Sequence, residues 1–283
     1  MTTATQHTDD TQRPTEPGNQ RHDHTGRSAS GEFGEHTYGD GLADVYDYMY
    51  PVTPAAKAAG EYVARLAGPG GTALELGIGT GRVGAFTAAA GVQLTGVDAS
   101  QRMLDKLHEL HPDSGIRTRR LDFTSESTGE TFDVVYVPLS TFFVARTLES
   151  QLRTMRLMRE QVAPGGDIVI EAFDPRDYHA QQGTRTETHP FPDGSLMIDT
   201  TIVERTMQLI VVSHTTIDSG RHETVKEIVR YAFPAELDLM ARLAGLELVE
   251  RSADWAGTSW NAGSLSHVSR YRVADPDTTP SQE

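Results

Sequence analysis

The spacing of apolar residues predicts two helices near the start of the folded part. Four apolar residues recur every three or four positions, which places them on one helical face that ends before Pro51. These residues are Leu42, Val45, Tyr46 and Met49. A second stripe with the same spacing runs from residue 55 to residue 66 and predicts the next helix.

From residue 72 onward, short apolar runs that predict strands alternate with segments of helical spacing. The predicted strands are 72–76, 92–97, 116–121, 132–137 and 167–171. Strands that alternate with helices favour a parallel sheet with helices on both faces. After a last helix at 234–245, runs at 246–250 and 267–273 predict two more strands, and the final one is expected to be antiparallel.

The pattern changes between residues 175 and 233, where we predict a β-rich insertion. Three runs within 195–233 have strand-like alternation, as at Val225, Val229 and Tyr231, and a turn at Asp218–Gly220 separates the last two. No helical spacing fits this region. We therefore expect an antiparallel meander inserted into the α/β domain.

Both ends of the chain predict disorder. Residues 1–41 contain no Leu, Ile or Val and carry three Arg against seven acidic residues. Such a segment buries too little apolar area to offset its loss of conformational entropy. The polar run at 274–283 leads to the same expectation, so the folded domain is predicted to span 42–273.

The composition narrows the possible functions. Forty acidic residues against 25 Lys and Arg give a net charge of −15, which disfavours nucleic acid as a partner. The absence of cysteine removes disulfides and thiolate chemistry and suits a reducing cytoplasm. We find no apolar run of membrane-spanning length and no secretory signal, and we expect no membrane association. No histidine–carboxylate spacing resembles a metal site, so we predict no metal.

The most specific signal is the stretch ELGIGTG at residues 75–81, between the first predicted strand and a helix. Its glycines, Gly77, Gly79 and Gly81, let the backbone turn tightly and approach a ligand. Asp98 ends the second strand, 17 residues after Gly81, where a carboxylate can accept both hydroxyls of a ribose. A tight turn without a ligand would leave this acid unexplained.

Two cofactor classes use such a crevice at a sheet edge. The dinucleotide fingerprint needs a third glycine at position 82, where this chain has Arg82. The loop also lacks the Lys-Ser/Thr pair of a phosphate-binding P-loop. Neither pattern therefore accounts for the loop.

The ExGxGxG loop followed by a strand-ending acid resembles the Rossmann-like, class I S-adenosylmethionine-dependent methyltransferases. Three further stretches match this family: LDF at 121–123, FDVVYVPLS at 132–140 and APGG at 163–166. The resemblance covers residues 42–273. It implies a seven-stranded, mostly parallel sheet, S-adenosylmethionine as the cofactor and methyl transfer as the activity.

The resemblance also implies roles for particular residues. The glycine loop would lie under the methionine part of the cofactor, Asp98 would hold the ribose, and Asp122 would accept from the adenine amine. The other implied cofactor residues are Tyr46, Glu75, Ala99, Met103, Phe123, Pro138 and Leu139. Met103 also lies on the apolar face of its predicted helix, so core packing remains an alternative for it.

Methyl transfer from a sulfonium requires chiefly that nucleophile, methyl carbon and sulfur lie in line and that water is excluded. An amine must arrive unprotonated, whereas a hydroxyl usually needs a base. The fourth strand is followed by Pro138-Leu139-Ser140 rather than the Asn/Asp-Pro-Pro-Tyr/Phe of enzymes that methylate adenine or glutamine. The sequence does not decide between N-, O- and C-methylation.

The overall plan is similar to small-molecule methyltransferases of natural-product pathways, such as the deoxyaminosugar N-methyltransferases of antibiotic biosynthesis. In these enzymes an N-terminal helix and a meander cover the active site. We therefore expect a small-molecule acceptor, with the meander roofing its site or, secondarily, forming a homodimer contact. A peptide acceptor and a non-catalytic, cofactor-binding scaffold are the alternatives.

Several aromatic residues follow the strands at the edge where substrates are expected to bind. His179, which follows the fifth strand, is the candidate general base. The candidate acceptor-facing residues are Tyr50, Phe143, Tyr178, His179, Trp255 and Trp260.

Overall fold

The computed structural model describes residues 39–41, 43 and 46–274. The predicted disorder of the two tails falls almost wholly outside the described residues, as do Leu42 and Val45 of the first predicted helix. The described part of that helix is Tyr46–Met49.

The elements follow the predicted alternation of strands and helices. The helices are α1 (Tyr46–Met49), α2 (Pro54–Ala67), α3 (Gly84–Ala89), α4 (Gln101–Leu110), α5 (Leu148–Gln161), α6 (Arg176–Ala180) and α7 (Pro234–Leu243), with a 3-10 helix at Thr141–Val144. The strands are β1 (Thr72–Leu76), β2 (Gln93–Asp98), β3 (Arg117–Arg120), β4 (Phe132–Val137), β5 (Val162–Phe173), β6 (Arg185–Pro190), β7 (Leu196–Glu204), β8 (Leu209–Asp218), β9 (Arg221–Arg230), β10 (Leu246–Ser252) and β11 (Ser266–Val273).

Seven strands form one sheet in the order β10-β11-β5-β4-β1-β2-β3. The ladder is parallel from β3 across to β5, and β11 is antiparallel to both β5 and β10. This Rossmann-like sheet confirms the predicted fold class, including the antiparallel final strand. Strand order reverses between β1 and β4, and the carboxyl ends of these strands are where such sheets bind ligands.

Alternate residues of the central strands face two separate apolar clusters. In β1, Ala73 packs in a cluster with α2 and α4, whereas Leu74 and Leu76 pack in another with α5 and α7. Helices therefore cover both faces of the sheet, and the central strands are buried on both sides, as parallel strands usually are.

The insertion forms a second sheet in the order β6-β7-β8-β9, antiparallel throughout. The three strands predicted within 195–233 are confirmed as β7, β8 and β9, and β6 is a fourth strand that was not predicted. Every residue of β6 is exposed, so it has no apolar face whose alternation would predict a strand. It is an edge strand that pairs only with β7, and it ends at Pro190, which an edge tolerates.

Smaller differences follow from local chemistry. Strand β5 begins at Val162 rather than at residue 167, because Phe132 pairs with Val162 before the ladder jumps to Val134 and Asp167. The short helix α6 and the 3-10 helix were not predicted, since one or two turns carry too few apolar positions to show a period. No helix in the described part of the chain is long and apolar enough to cross a membrane.

Candidate active site

The glycine loop connects β1 to α3 at the carboxyl edge of the large sheet. Gly77, Gly79 and Gly81 have φ values of 69°, 56° and 87°, in the left-handed region that favours glycine. A Cβ on Gly77 would lie 2.3 Å from a methyl carbon of Thr141. The loop therefore requires glycine at this position for space as well as for conformation.

Asp98 ends β2 and faces the loop. Its two carboxylate oxygens accept the backbone N–H of Gly79 and of Ser100, each at 2.9 Å. Burial raises the pKa of Asp98, and these two backbone donors act in the opposite direction. A carboxylate has about four acceptor positions, so Asp98 keeps acceptor capacity beyond its backbone donors.

Glu75 lies beneath the loop and is 2% exposed. Its Oε2 accepts a hydrogen bond from the Tyr136 hydroxyl at 2.5 Å. Burial raises the pKa of Glu75 to about 8, although the Tyr136 hydroxyl and Arg82 lower it. Glu75 is not among the residues that line the cavity described below, so it supports the loop from behind.

The loop that follows β3 adds a second carboxylate. Asp122 Oδ1 accepts from the backbone N–H and the hydroxyl of Thr124, at 2.9 and 2.7 Å, and Oδ2 accepts from the Ser125 hydroxyl at 2.8 Å. These bonds fix the carboxylate beside the apolar side chains of Met103 and Phe123, which line the same cavity.

The turn after β4 has an unusual backbone. Leu139 and Ser140 are consecutive non-glycine residues with φ values of 58° and 61°. The Leu139 N–H donates to Glu171 Oε2 at 2.6 Å, and the Phe173 N–H donates to Ser140 Oγ at 3.0 Å. Left-handed conformations persist where surrounding contacts over-determine them, and they cluster at functional sites.

These elements surround a cavity of about 300 Å³. The described residues from the predicted cofactor set that line it are Tyr46, Gly77, Gly79, Asp98, Ala99, Met103, Asp122, Phe123 and Leu139. Tyr46 of helix α1 and Tyr50 directly after it line the cavity, and the Arg82 guanidinium lies 5.8 and 5.5 Å from their ring centroids. Asp47 anchors the helix by accepting from the Thr80 hydroxyl at 2.6 Å.

The meander forms the opposite wall. Ile210 and Val212 of β8 and Glu227 and Val229 of β9 line the cavity. Phe143, Phe173 and Tyr178 continue this wall as an aromatic row, with ring centroids 5.0 and 5.2 Å apart. The wall is therefore apolar apart from the Glu227 carboxylate and the Arg146 guanidinium.

Three of the predicted acceptor-facing residues are not brought to this cavity. His179 is exposed and lies beside Tyr231, with 2.8 Å between its Nδ1 and the Tyr231 hydroxyl. Trp255 is buried against Tyr62 at a ring-centroid distance of 5.5 Å, on the other side of the sheet. Trp260 is exposed under the Arg251 guanidinium. The direction of each of these side chains is set by its local contacts, which its position in the sequence does not predict.

Besides Glu75, two further residues of the predicted cofactor set do not line the cavity. Gly81 is packed against Leu107, which a Cβ at this position would approach to 3.1 Å. Pro138 precedes the left-handed pair, and its carbonyl accepts from the Thr141 N–H at 3.1 Å. Both positions shape the loops, whereas their neighbours face the cavity.

Sequence analysis did not identify Glu227 or Arg146. A signal for Glu227 exists, because it lies between Val225 and Val229 on one face of β9. An acid in the middle of an apolar strand face is unusual and favours a functional or paired role. The sequence offers no comparable signal for Arg146.

The sequence profile of a methyltransferase-domain family matches residues 73–166. The chain is 31% identical over 196 residues to a cypemycin N-terminal methyltransferase from Streptomyces sp, covering 69% of this chain and 80% of that protein. It is 36% identical to the CcbJ methyltransferase from Streptomyces caelestis, whose structure matches with a TM-score of 0.79 over 86% of this chain and all of that one. An S-adenosylmethionine-bound amino pentose methyltransferase from Micromonospora echinaspora shares the fold, with a TM-score of 0.55 at 18% identity, 84% coverage of this chain and 92% of that one.

The chain belongs to the Rossmann-like, class I S-adenosylmethionine-dependent methyltransferases. Its fold and its glycine loop with Asp98 agree with this family. It is an enzyme whose cofactor is S-adenosylmethionine, and its described residues fit that group. Gly77 has no space for a Cβ and Gly79 has a left-handed backbone, while Asp98 and Asp122 supply two carboxylates at the cavity. When bound, the cofactor supplies an electrophilic methyl group on a sulfonium.

Proposed function

We propose that the enzyme methylates an amine nitrogen of a small-molecule acceptor. The observation that carries this proposal is the Glu227 carboxylate in an otherwise largely apolar wall that faces the glycine loop. An amine is a cation at neutral pH, and a partly buried carboxylate is its natural counter-charge. The neighbouring Ile210, Val212 and Val229 suit an apolar skeleton around that nitrogen.

In this proposal the cofactor lies along the loop side of the cavity. Asp98 holds the ribose hydroxyls, and Asp122 accepts from the adenine amine between Ala99, Met103 and Phe123. Gly77, Gly79 and Tyr46 contact the methionine end, and Leu139 closes the cavity beside the reacting methyl group. The acceptor then lies between this group and the meander, with Tyr50, Phe143 and Tyr178 around it.

The residues at the cavity favour an amine over a hydroxyl. A hydroxyl nucleophile needs a base that can take its proton during transfer, commonly a histidine. None of the cavity-lining residues that the structure describes is a histidine, and His179 points elsewhere. An amine, in contrast, needs only positioning and the loss of the proton that it carries in water.

A second candidate is methylation of a peptide N-terminus, which the relative named as a cypemycin N-terminal methyltransferase favours. An N-terminal α-amine has the same charge as a small-molecule amine, so Glu227 would serve either. The two differ in the atoms beyond the nitrogen: a peptide needs an open channel, whereas a small molecule can be covered by the meander.

Formation of S-adenosylhomocysteine with a panel of acceptors tests the proposal. The panel contains 4-phenylpiperidine and glucosamine as small amines, trialanine as a peptide amine and 4-phenylphenol as a hydroxyl. We expect turnover of a small amine and little turnover of the phenol. Glu227→Gln, which removes the charge but keeps the shape, should lower kcat/KM for the amine at pH 7 by about tenfold or more.

The matched control is Glu223→Gln on the same strand, since Glu223 is exposed and does not line the cavity. It should behave as the wild type. Preference for 4-phenylphenol would contradict N-methylation, and preference for trialanine over both small amines would replace the small-molecule acceptor by a peptide.

A further inference from the structure

A row of titratable side chains leads away from Glu227 across the meander. His214 Nε2 lies 3.6 Å from Glu227 Oε2, and His214 Nδ1 lies 2.8 Å from Asp199 Oδ1. The other oxygen of Asp199 lies 3.2 Å from His189 Nε2. Four groups on four strands thus connect the cavity wall to the edge strand β6.

The strand register places these side chains on one face of the sheet. His214 pairs with Asp199 on β7 and with Val225 on β9, and Glu227 pairs with Val212. Residues that pair across strands point to the same face, as do residues two apart along a strand. The face that carries Glu227 into the cavity therefore also carries His214.

Exposure rises along the row at its outer end. The side chain of His214 is 3% exposed, that of Asp199 is 17% exposed, and that of His189 is 50% exposed. These side chains are arranged in a line rather than around a point, and the described residues contain no group of three or more that fits a metal ion. The row thus joins a buried imidazole both to the active-site wall and to solvent.

Asp199 fixes which nitrogen of His214 can receive a proton. In the neutral imidazole, the nitrogen that faces the Asp199 carboxylate at hydrogen-bond distance carries the hydrogen. The lone pair is then on Nε2, which faces Glu227. Direct proton transfer between the two groups requires the Glu227 side chain to rotate so that the 3.6 Å separation shortens to hydrogen-bond length.

This arrangement matches a requirement of N-methylation that the proposed function leaves open. An amine that enters as an ammonium ion must lose a proton before its lone pair can attack. We infer that Glu227 takes this proton and passes it to His214, an inference that rests on the proposed amine acceptor. His214 then holds the proton between two carboxylates during methyl transfer. Asp199 and His189 then release it to solvent.

The charges balance over the sequence of steps. The N–H bond of the ammonium ion breaks, its electron pair stays on nitrogen, and the proton moves to Glu227 and then to His214 Nε2. The nitrogen lone pair forms the new N–C bond as the C–S bond breaks, which leaves a neutral thioether and a methylated ammonium ion. One proton has left the acceptor, and His189 delivers one proton to water.

The electrostatics of His214 support its role. The carboxylates of Glu227 and Asp199 raise its pKa above the ordinary value of 6.5, although burial acts in the opposite direction. A proton acceptor works best when its pKa is near the working pH, and the shift brings His214 closer to an amine than a free carboxylate is. Glu227 is the catalytic residue here, because it contacts the acceptor, whereas His214 and Asp199 are positioning residues.

The groups that face this row do not compete for the proton. Tyr46 of α1 and Tyr178 of α6 lie on the cavity side, and burial, with a further contribution from Glu227, raises the pKa of each above 10.0. Both stay neutral phenols at the working pH. On the sheet itself, Asp199 of β7, His189 of β6 and Glu227 of β9 are the charged neighbours of His214 described above.

The test compares pH profiles of kcat/KM for the panel amine that the wild type methylates fastest. We expect kcat/KM of the wild type to rise through the pKa of His214 and then to level off well below the pKa of the amine, because an imidazole that is already protonated cannot take the proton of the acceptor. In His214→Gln, the proton must be lost to bulk water before reaction. Its kcat/KM should rise tenfold per pH unit up to the pKa of the amine, so its defect shrinks at high pH.

A second readout does not depend on turnover. Nuclear magnetic resonance of ¹⁵N-labelled histidine side chains in the full chain should show His214 titrating above 6.5 in the wild type and in Glu223→Gln. The titration should move to lower pH in Asp199→Asn and in Glu227→Gln. Asp199→Asn should also move the acid limb of the rate profile to lower pH, which a general loss of folding would not do.

The outcomes separate this inference from the proposed function. If the wild type methylates amines but His214→Gln keeps a pH profile of the same shape, with the same plateau, the inference is wrong and the proposed function stands. If His214 titrates alike in the wild type, Asp199→Asn and Glu227→Gln, the row is not coupled and the inference is again wrong. If no panel amine is methylated, the proposed function fails, and the inference fails with it.

Discussion

Individual residues of the loop after β1 carry requirements that can be measured one at a time. Gly77 combines a left-handed backbone with a contact that leaves no space for a Cβ, whereas Gly70 has a similar φ of 71° and nothing within 4 Å. The pair therefore separates backbone strain from steric exclusion. Both are glycines in turns, so the sequence alone does not distinguish them.

Gly77→Ala should cost more stability than Gly70→Ala. The strain of a left-handed alanine is about 1–2 kcal/mol at either position, and the clash with Thr141 adds to it only at Gly77. Urea denaturation measures the two losses, and calorimetry should find weaker S-adenosylmethionine binding for Gly77→Ala alone. Equal losses in both variants, with cofactor affinity unchanged, would contradict the assigned close approach.

Glu75 makes the stability of the fold depend on pH. Its pKa is about 8 in the folded state because of burial, against an ordinary value of 4.5. The contribution of Glu75 to the free energy of unfolding is therefore fully present below pH 4.5 and decreases as pH rises towards 8. In that interval the unfolded chain releases a proton that the folded chain keeps, with a slope of up to about 1.4 kcal/mol per pH unit.

Glu75→Gln should remove this dependence. The free energy of unfolding should be measured for the variant and for the wild type from pH 5 to pH 8. The variant should become more stable relative to the wild type as pH rises. The difference between the two curves isolates Glu75 from all other titrating groups. Two parallel curves would mean that Glu75 ionises in the folded state as readily as in the unfolded chain.

At the scale of elements, the sequence predicted the helices and strands in which apolar residues form a run or recur regularly, and it missed those without such a pattern. The central strands of the large sheet are apolar runs, and β8 and β9 alternate, so both sheets were expected. Strand β6 is polar throughout and α6 is five residues long, so neither gave a signal. The pairing with β7 fixes the position of β6, and the turn after β5 fixes that of α6. Both are tertiary interactions, which a local sequence pattern does not encode.

The same limit applies to the candidate site. Residues tied to backbone motifs, such as Asp98 after β2 and Gly77 and Gly79 after β1, do line the cavity. His179, Trp255 and Trp260 were placed by their distance along the chain from strand ends, and each side chain points into a different environment. Side-chain direction in a loop depends on contacts that no local pattern encodes.

One buried cluster ties the meander to the core. The Arg230 guanidinium at the end of β9 donates to Gln151 of α5 at 2.6 Å, to Glu236 of α7 at 2.6 Å and to Gln208 at 3.2 Å. The Gln151 amide in turn donates to the Arg230 carbonyl at 2.6 Å. This cluster fixes the angle at which β8 and β9 approach the cavity.

Arg230→Ala should therefore lower the stability of the folded chain, because it removes the contacts that hold the meander against α5 and α7. Loss of hydrogen bonds that involve charged groups costs about 1.5–3 kcal/mol, and partners left buried add to that. Urea denaturation should show the loss, while Arg221→Ala, at the exposed start of β9, should cost less than about 0.5 kcal/mol. A stability of Arg230→Ala equal to that of the control would show that the cluster does not support the meander.

At the scale of the whole molecule, the cavity joins three parts of the chain. The segment at α1 supplies Tyr46 and Tyr50, the large sheet and its loops supply the glycine loop with Asp98 and Asp122, and the meander supplies Glu227. A ligand that contacts all three parts binds the folded chain and not the unfolded one. Cofactor binding should therefore stabilise the entire molecule rather than a local segment.

The size of that stabilisation follows from mass action. At a concentration of S-adenosylmethionine a hundred times its Kd, the free energy of unfolding should increase by about 2.7 kcal/mol. The same concentration of NADH should leave it unchanged, because Arg82 occupies the position where a dinucleotide loop needs glycine. Thermal unfolding at several ligand concentrations measures both effects.

Asp98→Ala provides the decisive variant for this prediction. Loss of its charge-assisted hydrogen bonds to the ribose should weaken cofactor binding by about 1.5–3 kcal/mol, which raises Kd roughly tenfold to a hundredfold. At the concentration used for the wild type, the stabilisation should then fall to roughly 1.4 kcal/mol or less. Asp105→Ala, an exposed acid on α4, is the control and should keep the full effect. A variant at Asp98 that is stabilised as strongly as the wild type would show that this carboxylate does not hold the cofactor.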